Sequence, residues 1–384
     1  MFRKEGFKGE IVLVSAESSL PYDRPKLSKK LDASAADLEL TSAAWFREAG
    51  VDLRLGLEID EVKTDERVVV SSAGDRISYD KLLVATGGTP RKLGVPGQDL
   101  VGVRYLRTPA DANYLIENAR DRCVVIVGGS FIGMEVASAL VGVAKKLTIV
   151  DRNSVSFHSS LGDQVGAILQ QMHVDHGVCF EMEAKVERFV GTDDGRLKSV
   201  LLASGKQLEA DMVLVGAGVT PNTRLLAGIE GILDASGLVP VDEFMKTARD
   251  DIFAAGDIVR FPLLAFGGEM VNIGHWGLAM YMGRVAALSI LGKPKAADSV
   301  PFFWTVQFGK SVRFAGTTLG CDNVKVEESG PGKFIAVYSR AGVVRGVASL
   351  GLDPAAATFK SVTQQGTVIK LEEAFEKLKP VPAS

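Results

Sequence analysis

Between Cys123 and Asp151 the chain reads CVVIVGGSFIGMEVASALVGVAKKLTIVD. Five consecutive apolar positions, Cys123 to Val127, predict a strand buried on both faces. GGSFIG follows at once and opens a helical segment with small residues along one face; a second apolar run, Leu147 to Val150, then predicts another strand. Asp151 closes the pattern, 23 residues after Gly128. Strand, glycine turn, helix, strand and terminal acid, in that order, is the context in which a glycine fingerprint marks a dinucleotide site. Gly128 would make the tight turn, the helix N-terminus would face a pyrophosphate, and Gly133 would let helix and strand pack closely. Asp151 would accept hydrogen bonds from the adenosine ribose, which favours NAD over NADP because a 2′-phosphate there would be repelled. Ser130 stands where the middle glycine is expected, so the backbone would approach the phosphates less closely.

The same alternation of runs and breaks extends along the chain. Residues Glu10 to Ala16 predict a strand ending at Glu17, and LPYDRPKLSK reads as a proline-punctuated loop entering a helix. Were that strand the second of a nucleotide-binding unit, its glycine loop would lie about 20 residues earlier, so the first strand and phosphate loop are expected to be missing. A helix over 37–50 and strands near 51–55 and 67–71 come next; KLLVATGGTP (Lys81 to Pro90) reads as a buried strand broken by a glycine pair. Past the fingerprint, the pattern predicts a helix over 160–174, strands near 177–180 and 197–203, and a strand running into a Gly/Pro-rich loop over 211–223. IFAA then ends in Gly256 and Asp257, either a plain turn or a carboxylate held at a strand end to accept a hydrogen bond from a sugar alcohol such as ribitol. A long helix is predicted over 271–291. Its N-terminus near His275 and Trp276 would offer a positive dipole end to a carbonyl that becomes anionic on reduction, unless it is a core helix with an aromatic cap. The last region is strand-rich, with a hairpin around Arg340, Ala341 and Gly342, and ends in an amphipathic helix over 367–379.

Composition narrows the classes. With 384 residues, 46% hydrophobic and 24% charged, the chain has length for about two or three domains with sizeable cores. A net charge of −3 without a dense Lys/Arg block gives no footprint for nucleic acid. No apolar run nears the roughly 18 residues of a membrane span, and no leader-like segment opens the chain. The three cysteines, Cys123, Cys179 and Cys321, form no CxxC, which argues for a reducing compartment and against a dithiol centre or a cysteine-ligated cluster. His173 and His176 lack the cysteine or carboxylate companions of a metal site, and no metal is expected.

Eight segments in order, LPYDRPKLSK, LLVATGGTP, LRTPADAN, VVIVGGSFIGMEVA, VGAGVTPN, IFAAGDIV, VNIGHW with GRVAA, and PFFWTVQFGKSVRFAG, resemble the signature set of the two-dinucleotide flavoprotein reductases. Within these the chain is most similar to the apoptosis-inducing factor 3 branch, itself similar to rubredoxin and ferredoxin reductases. The resemblance implies an α/β fold with two Rossmann-like, three-layer nucleotide-binding domains, one inserted in the other, plus an α+β C-terminal interface domain. It places an FAD domain at 1–107 and 237–298, an NAD domain at 108–236 and the interface domain at 299–384. It implies hydride transfer from NADH to FAD and single-electron transfer to a ferredoxin or Rieske-type protein. It further implies FAD contacts from Glu17, Arg24, Lys29, Thr86, Gly87, Arg107, Asp257, His275, Trp276 and Trp304, with Lys29 paired to Glu135 near the reacting flavin nitrogen as the catalytic pair. Gly128, Gly129, Ser130, Phe131, Ile132, Gly133, Asp151 and Gly218 would hold NAD. Trp304 reads equally as a core aromatic. The Rieske-type Cys/His cluster that resembling branch members carry upstream is not expected here. The alternative reading is a non-catalytic, cell-death-associated interaction protein that binds NAD without stable FAD. A cytoplasmic or mitochondrial location and a homodimer are both left open.

Overall fold

The structure is a computed structural model that describes residues 1–330 and 332–379. The chain folds into two compact units. The first comprises 1–23, 35–89 and 220–301, and the second 24–34, 90–219 and 302–384.

The second unit carries the fingerprint. Its parallel sheet has the spatial order Cys179–Glu181, Lys146–Val150, Cys123–Val127, Met212–Val215, Val103–Arg104. The central strand Cys123–Val127 is buried at every position, as its unbroken apolar run requires. The fingerprint helix Phe131–Leu140 packs on the strands to either side of its turn, Cys123–Val127 and Lys146–Val150. Gly128 has φ 113° and Gly133 leaves no room for a side chain: a Cβ there would sit 1.9 Å from the Gly128 carbonyl oxygen. Ser130, by contrast, is extended at φ −103°, a conformation that asks for no glycine.

The preceding helix, Pro109–Ala119, starts where TPAD places it. The Thr108 side chain accepts from the Asp111 N–H, Asp111 returns the bond to the Thr108 N–H, and Pro109 fills the first turn. The same unit holds a C-terminal antiparallel sheet ordered Phe302–Gln307, Lys310–Gly316, Val343–Leu350, Phe334–Arg340, Asn323–Glu328. Its expected hairpin is present, with Ala341 and Gly342 both at positive φ (50° and 76°), as a two-residue turn between twisted strands demands.

The first unit contains two parallel strand pairs, Ile11–Ser15 with Val51–Leu55 and Leu82–Val84 with Ile252–Ala254, which are separate sheets. An antiparallel three-stranded sheet over 59–78, a mixed one built on Val259–Leu263, and the helix Trp276–Ile290 complete it. One apolar cluster, including Val84, Ile252, Phe253, Met245, Phe261 and Met282, fills its core. Among the described residues no helix is long and apolar enough to cross a membrane.

Three expected helices are corrected. The segment 37–50 is two short helices, Ala35–Leu38 and Ala43–Glu48. Between them, the Leu40 N–H turns to the Pro21 carbonyl (2.9 Å) and Ser42 caps the second helix. Of the stretch 271–291, the residues before His275 are not helical, because Glu269–Val271 pairs as a strand with 261–263; the helix begins at Trp276, with its N-terminus at the expected place. In the tail the main helix lies earlier, at Ala355–Gln364, and only Ala374–Leu378 is α-helical afterwards. Residues 369 and 371 give their backbone groups to the hairpin instead: the Val344 N–H donates to Ile369 and the Leu371 N–H to Gly342, each at 2.9 Å.

The close approach at Gly133 can be tested directly. Gly133→Ala is expected to lose about 1–3 kcal/mol of stability in chemical denaturation, by overpacking the helix against its own turn, whereas Gly283→Ala, with open space around it and no positive φ, would not.

Candidate functional site

Around the fingerprint, the turn and the segment after the second strand are tied together by Asp151. Its carboxylate accepts from the Gly129 N–H (2.6 Å), the Asn153 N–H (2.8 Å) and Asn153 Nδ2 (2.9 Å). The expected ribose acid is therefore already held by three donors, with lone-pair capacity left for a ligand. The Phe157 N–H reaches the Gly129 carbonyl at 2.8 Å, and the Phe157 ring meets Phe131 edge-on. Phe131 also meets Phe303 edge-on at 4.9 Å, while Ile132 is exposed. Ser130 is the helix N-cap but its side chain makes no capping bond to the first helical N–H groups. Gly218 sits at φ 94° and its carbonyl accepts from the Arg91 N–H. A bare helix start, two glycines in close approach and an acid at the next strand end fit a dinucleotide pyrophosphate and ribose.

Further along the same helix, Glu135 points into the unit, its side chain 6% exposed. A carboxylate taken out of water needs donors in place of its hydration, and this one has three. Lys29 Nζ lies 2.8 Å from Oε2, the Ser28 hydroxyl donates to the same oxygen, and the Thr305 hydroxyl donates to Oε1 at 2.5 Å. Lys29 also donates to the Pro25 carbonyl at 3.0 Å, so among the described residues two of its three N–H groups have partners.

Ser28 ends a 3-10 turn, Arg24–Ser28, with Lys29 directly after it, and this segment is held from several directions. Arg24 Nη1 donates to the Arg107 carbonyl (2.6 Å), and Asn113 Nδ2 donates to the carbonyls of Leu31 (2.8 Å) and Ala33 (3.1 Å). Arg107 is in turn fixed through its N–H to Asp111. Arg24, Lys29, Arg107 and Glu135 are thus brought together in one unit. Trp304 lies beside Thr305 on the strand Phe302–Gln307 and is 54% exposed, which is not the burial of a core aromatic.

The remaining expected residues lie in the first unit. Glu17 accepts from the Tyr22 hydroxyl at 2.7 Å. Thr86 and Gly87, at φ 63°, are pinned by Asn222: the Thr86 hydroxyl donates to its carbonyl, while its N–H donates to Gly87 and its Nδ2 to Thr86. Asp257 occupies the 3-10 turn Gly256–Ile258 that follows the strand, so both readings of it, turn and strand-end acid, describe the same place. Asn272 Nδ2 fixes that turn by donating to the Asp257 and Val259 carbonyls. His275 is the N-cap of the helix Trp276–Ile290, and burial pushes its imidazole down to about 4.

Sequence pattern does not single out Ser28, Thr305, Asn222, Asn113 or Asn153. Hydroxyl and amide residues carry no periodic signal; all but Asn153 lie inside segments of the signature set, but nothing there marks them out from their neighbours. His173 and His176 make structural contacts. The two nitrogens of His173, which is fully buried, face the Leu169 and Met134 carbonyls at 3.0 Å, and His176 stacks on Phe308 at 3.8 Å.

Against known proteins, the family model described as pyridine nucleotide-disulphide oxidoreductase matches residues 2–283. Apoptosis-inducing factor 3 of Homo sapiens is 38% identical over 97% of this chain, and the chain spans 61% of that protein's length. The rubredoxin-NAD(+) reductase of Pseudomonas putida is 31% identical, covering 84% of each chain. Among solved structures, the covalent putidaredoxin reductase–putidaredoxin complex contains a chain that matches with a TM-score of 0.91 at 26% identity, over 98% of this chain and 94% of that one.

Two tests follow from the site geometry. Lys29→Met strands the Glu135 carboxylate with hydroxyl donors alone and is expected to cost about 2 kcal/mol, less than a fully buried pair because Lys29 is 23% exposed. Adding Glu135→Gln should recover most of that loss, as a denaturation double-mutant cycle would measure. For His275, the folded-state value lies below the unfolded one, so the unfolded chain binds the proton first. Stability is then full above pH 6.5 and falls by up to about 1.4 kcal/mol per unit between pH 6.5 and about 4. His275→Gln should flatten that limb in a pH series of melting curves.

Proposed function

The chain belongs to the pyridine nucleotide-disulphide oxidoreductase family, and on that premise we propose that it is an FAD-dependent oxidoreductase that takes hydride from NADH and passes electrons to an iron–sulfur protein. The observation that carries this reading is the Lys29–Glu135 pair. A loop lysine and a helix glutamate are drawn together from sequence positions over a hundred residues apart, on the helix that opens with the dinucleotide fingerprint. An ordinary surface ion pair would not be shut in with two buried hydroxyls.

When bound, the nicotinamide and the flavin supply the redox chemistry, a two-electron hydride step followed by one-electron release. The chain's residues bind, orient and set charge. The glycine turn and the bare start of the helix Phe131–Leu140 hold the NAD pyrophosphate, with Asp151 turned to the ribose. Lys29 keeps one N–H and a fixed positive charge where negative charge grows on reduction, and Glu135 keeps that charge in place. No side chain needs to act as a general base. We assign FAD to Glu17, Thr86, Gly87, Asp257, His275 and Trp276 together with Arg24, Lys29, Arg107 and Trp304. The domain division we propose is FAD at 1–107 and 237–298, NAD at 108–236, and an interface domain at 299–384. For the acceptor we propose a ferredoxin- or Rieske-type protein; the names of the rubredoxin reductase and of the putidaredoxin complex support a small iron–sulfur acceptor in general.

The experiment is a visible spectrum of the purified chain reconstituted with FAD, before and after anaerobic NADH. We expect bound flavin that bleaches on addition of NADH. A chain that binds NAD but retains no flavin would overturn the reductase reading in favour of a non-catalytic binding protein.

A further inference from the structure

We propose that Thr305, backed by Gln307, is a positioning residue that fixes where Lys29 holds its charge, an inference that rests on the reductase reading above. Side chains on the strand Phe302–Gln307 alternate: Trp304 and Val306 are exposed, whereas Thr305 and Gln307 are 1% and 0% exposed. Thr305 therefore faces inward with its hydroxyl 2.5 Å from Glu135 Oε1. A hydroxyl has one proton, and an ionised carboxylate has none to give, so Thr305 donates and Glu135 accepts. The hydroxyl's lone pair then faces Gln307 Nε2 at 3.5 Å, which sets the direction of the whole chain from Gln307 through Thr305 to Glu135.

The other carboxylate oxygen carries both Lys29 and Ser28. Were Oε1 free, the carboxylate could turn about its terminal bond, whose torsional well is broad, and the ammonium would follow it. With a donor on each oxygen that rotation is blocked, and Nζ stays between Oε2 and the Pro25 carbonyl. Thr305 touches neither cofactor in this scheme; it acts through Glu135. The C-terminal sheet thereby sets the electrostatics of a residue encoded far upstream of it.

Thr305→Val keeps the branched shape and removes the donor, Thr305→Ser keeps the donor, and Glu135→Gln gives the limiting case. The flavin-independent readout is the rate at which N-hydroxysuccinimide acetate modifies Lys29, followed by peptide mass spectrometry, with exposed Lys198 as the internal reference. We expect Lys29 to react about tenfold faster in Thr305→Val, the factor that corresponds to losing one hydrogen bond to a charged group, and at the wild-type rate in Thr305→Ser. In the FAD-loaded protein, Thr305→Val should slow flavin reduction about tenfold with KM for NADH unchanged, and Thr305→Ser should restore it. If Thr305→Val does not fold, Thr305→Cys, with its weak donor, should give an intermediate labelling rate. Wild-type labelling in the folded Val or Cys variant overturns the proposal. Because labelling needs no flavin, a chain that takes up no FAD sinks the reductase reading and leaves this result to stand or fall separately.

Discussion

Removing a carboxylate from water costs several kcal/mol unless protein donors replace the lost hydration. Glu135 is the group on which that condition falls, and meeting it recruits three stretches distant in sequence. The 3-10 turn Arg24–Ser28 brings Ser28 and, just beyond it, Lys29; the fingerprint helix brings Glu135; the strand Phe302–Gln307 brings Thr305. The supporting contacts serve the same end. Arg24 on Arg107, Asn113 on Leu31 and Ala33, and the Thr108–Asp111 capping box all steady the loop that delivers the lysine. Fold integrity rests on this arrangement, because the ion pair cannot be loosened without leaving a buried carboxylate short of a donor.

The glycine turn imposes a second, steric condition on the same helix. Gly133 lies against the Gly128 carbonyl, so helix and strand approach closely there, and Glu135 lies two residues on among the buried residues of the same helix. The serine at the middle of the fingerprint is compatible with the turn because its backbone is extended. Asp151 then closes the arrangement from the next strand by binding the Gly129 N–H.

Much of this is legible in the sequence where a run of residues carries one message. The five apolar residues from Cys123, the glycine spacing and the Ala341–Gly342 turn each encode local geometry, and each local expectation is found. Where the sequence misleads, a local pattern loses to a distant partner. The helix expected over 37–50 breaks where Leu40 finds Pro21, and the one expected from 271 is delayed by pairing with 261–263. Ser28 and Thr305 are illegible for the same reason: a lone hydroxyl does not announce a carboxylate 107 or 170 residues away. The pairing of Lys29 with Glu135 follows only from the resemblance of whole motifs.

The short segment 24–34 belongs to the second unit, although the residues on either side of it, 1–23 and 35–89, belong to the first. During synthesis Ser28 leaves the ribosome 107 residues ahead of Glu135, and Thr305 follows 170 residues later still. At elongation rates of about 5–20 residues per second, the lysine beside Ser28 waits on the order of ten seconds or more for a complete set of contacts. The lysine therefore meets its carboxylate partner first, and the late C-terminal sheet, which brings Thr305 to the other oxygen of that carboxylate, is the element that completes the set.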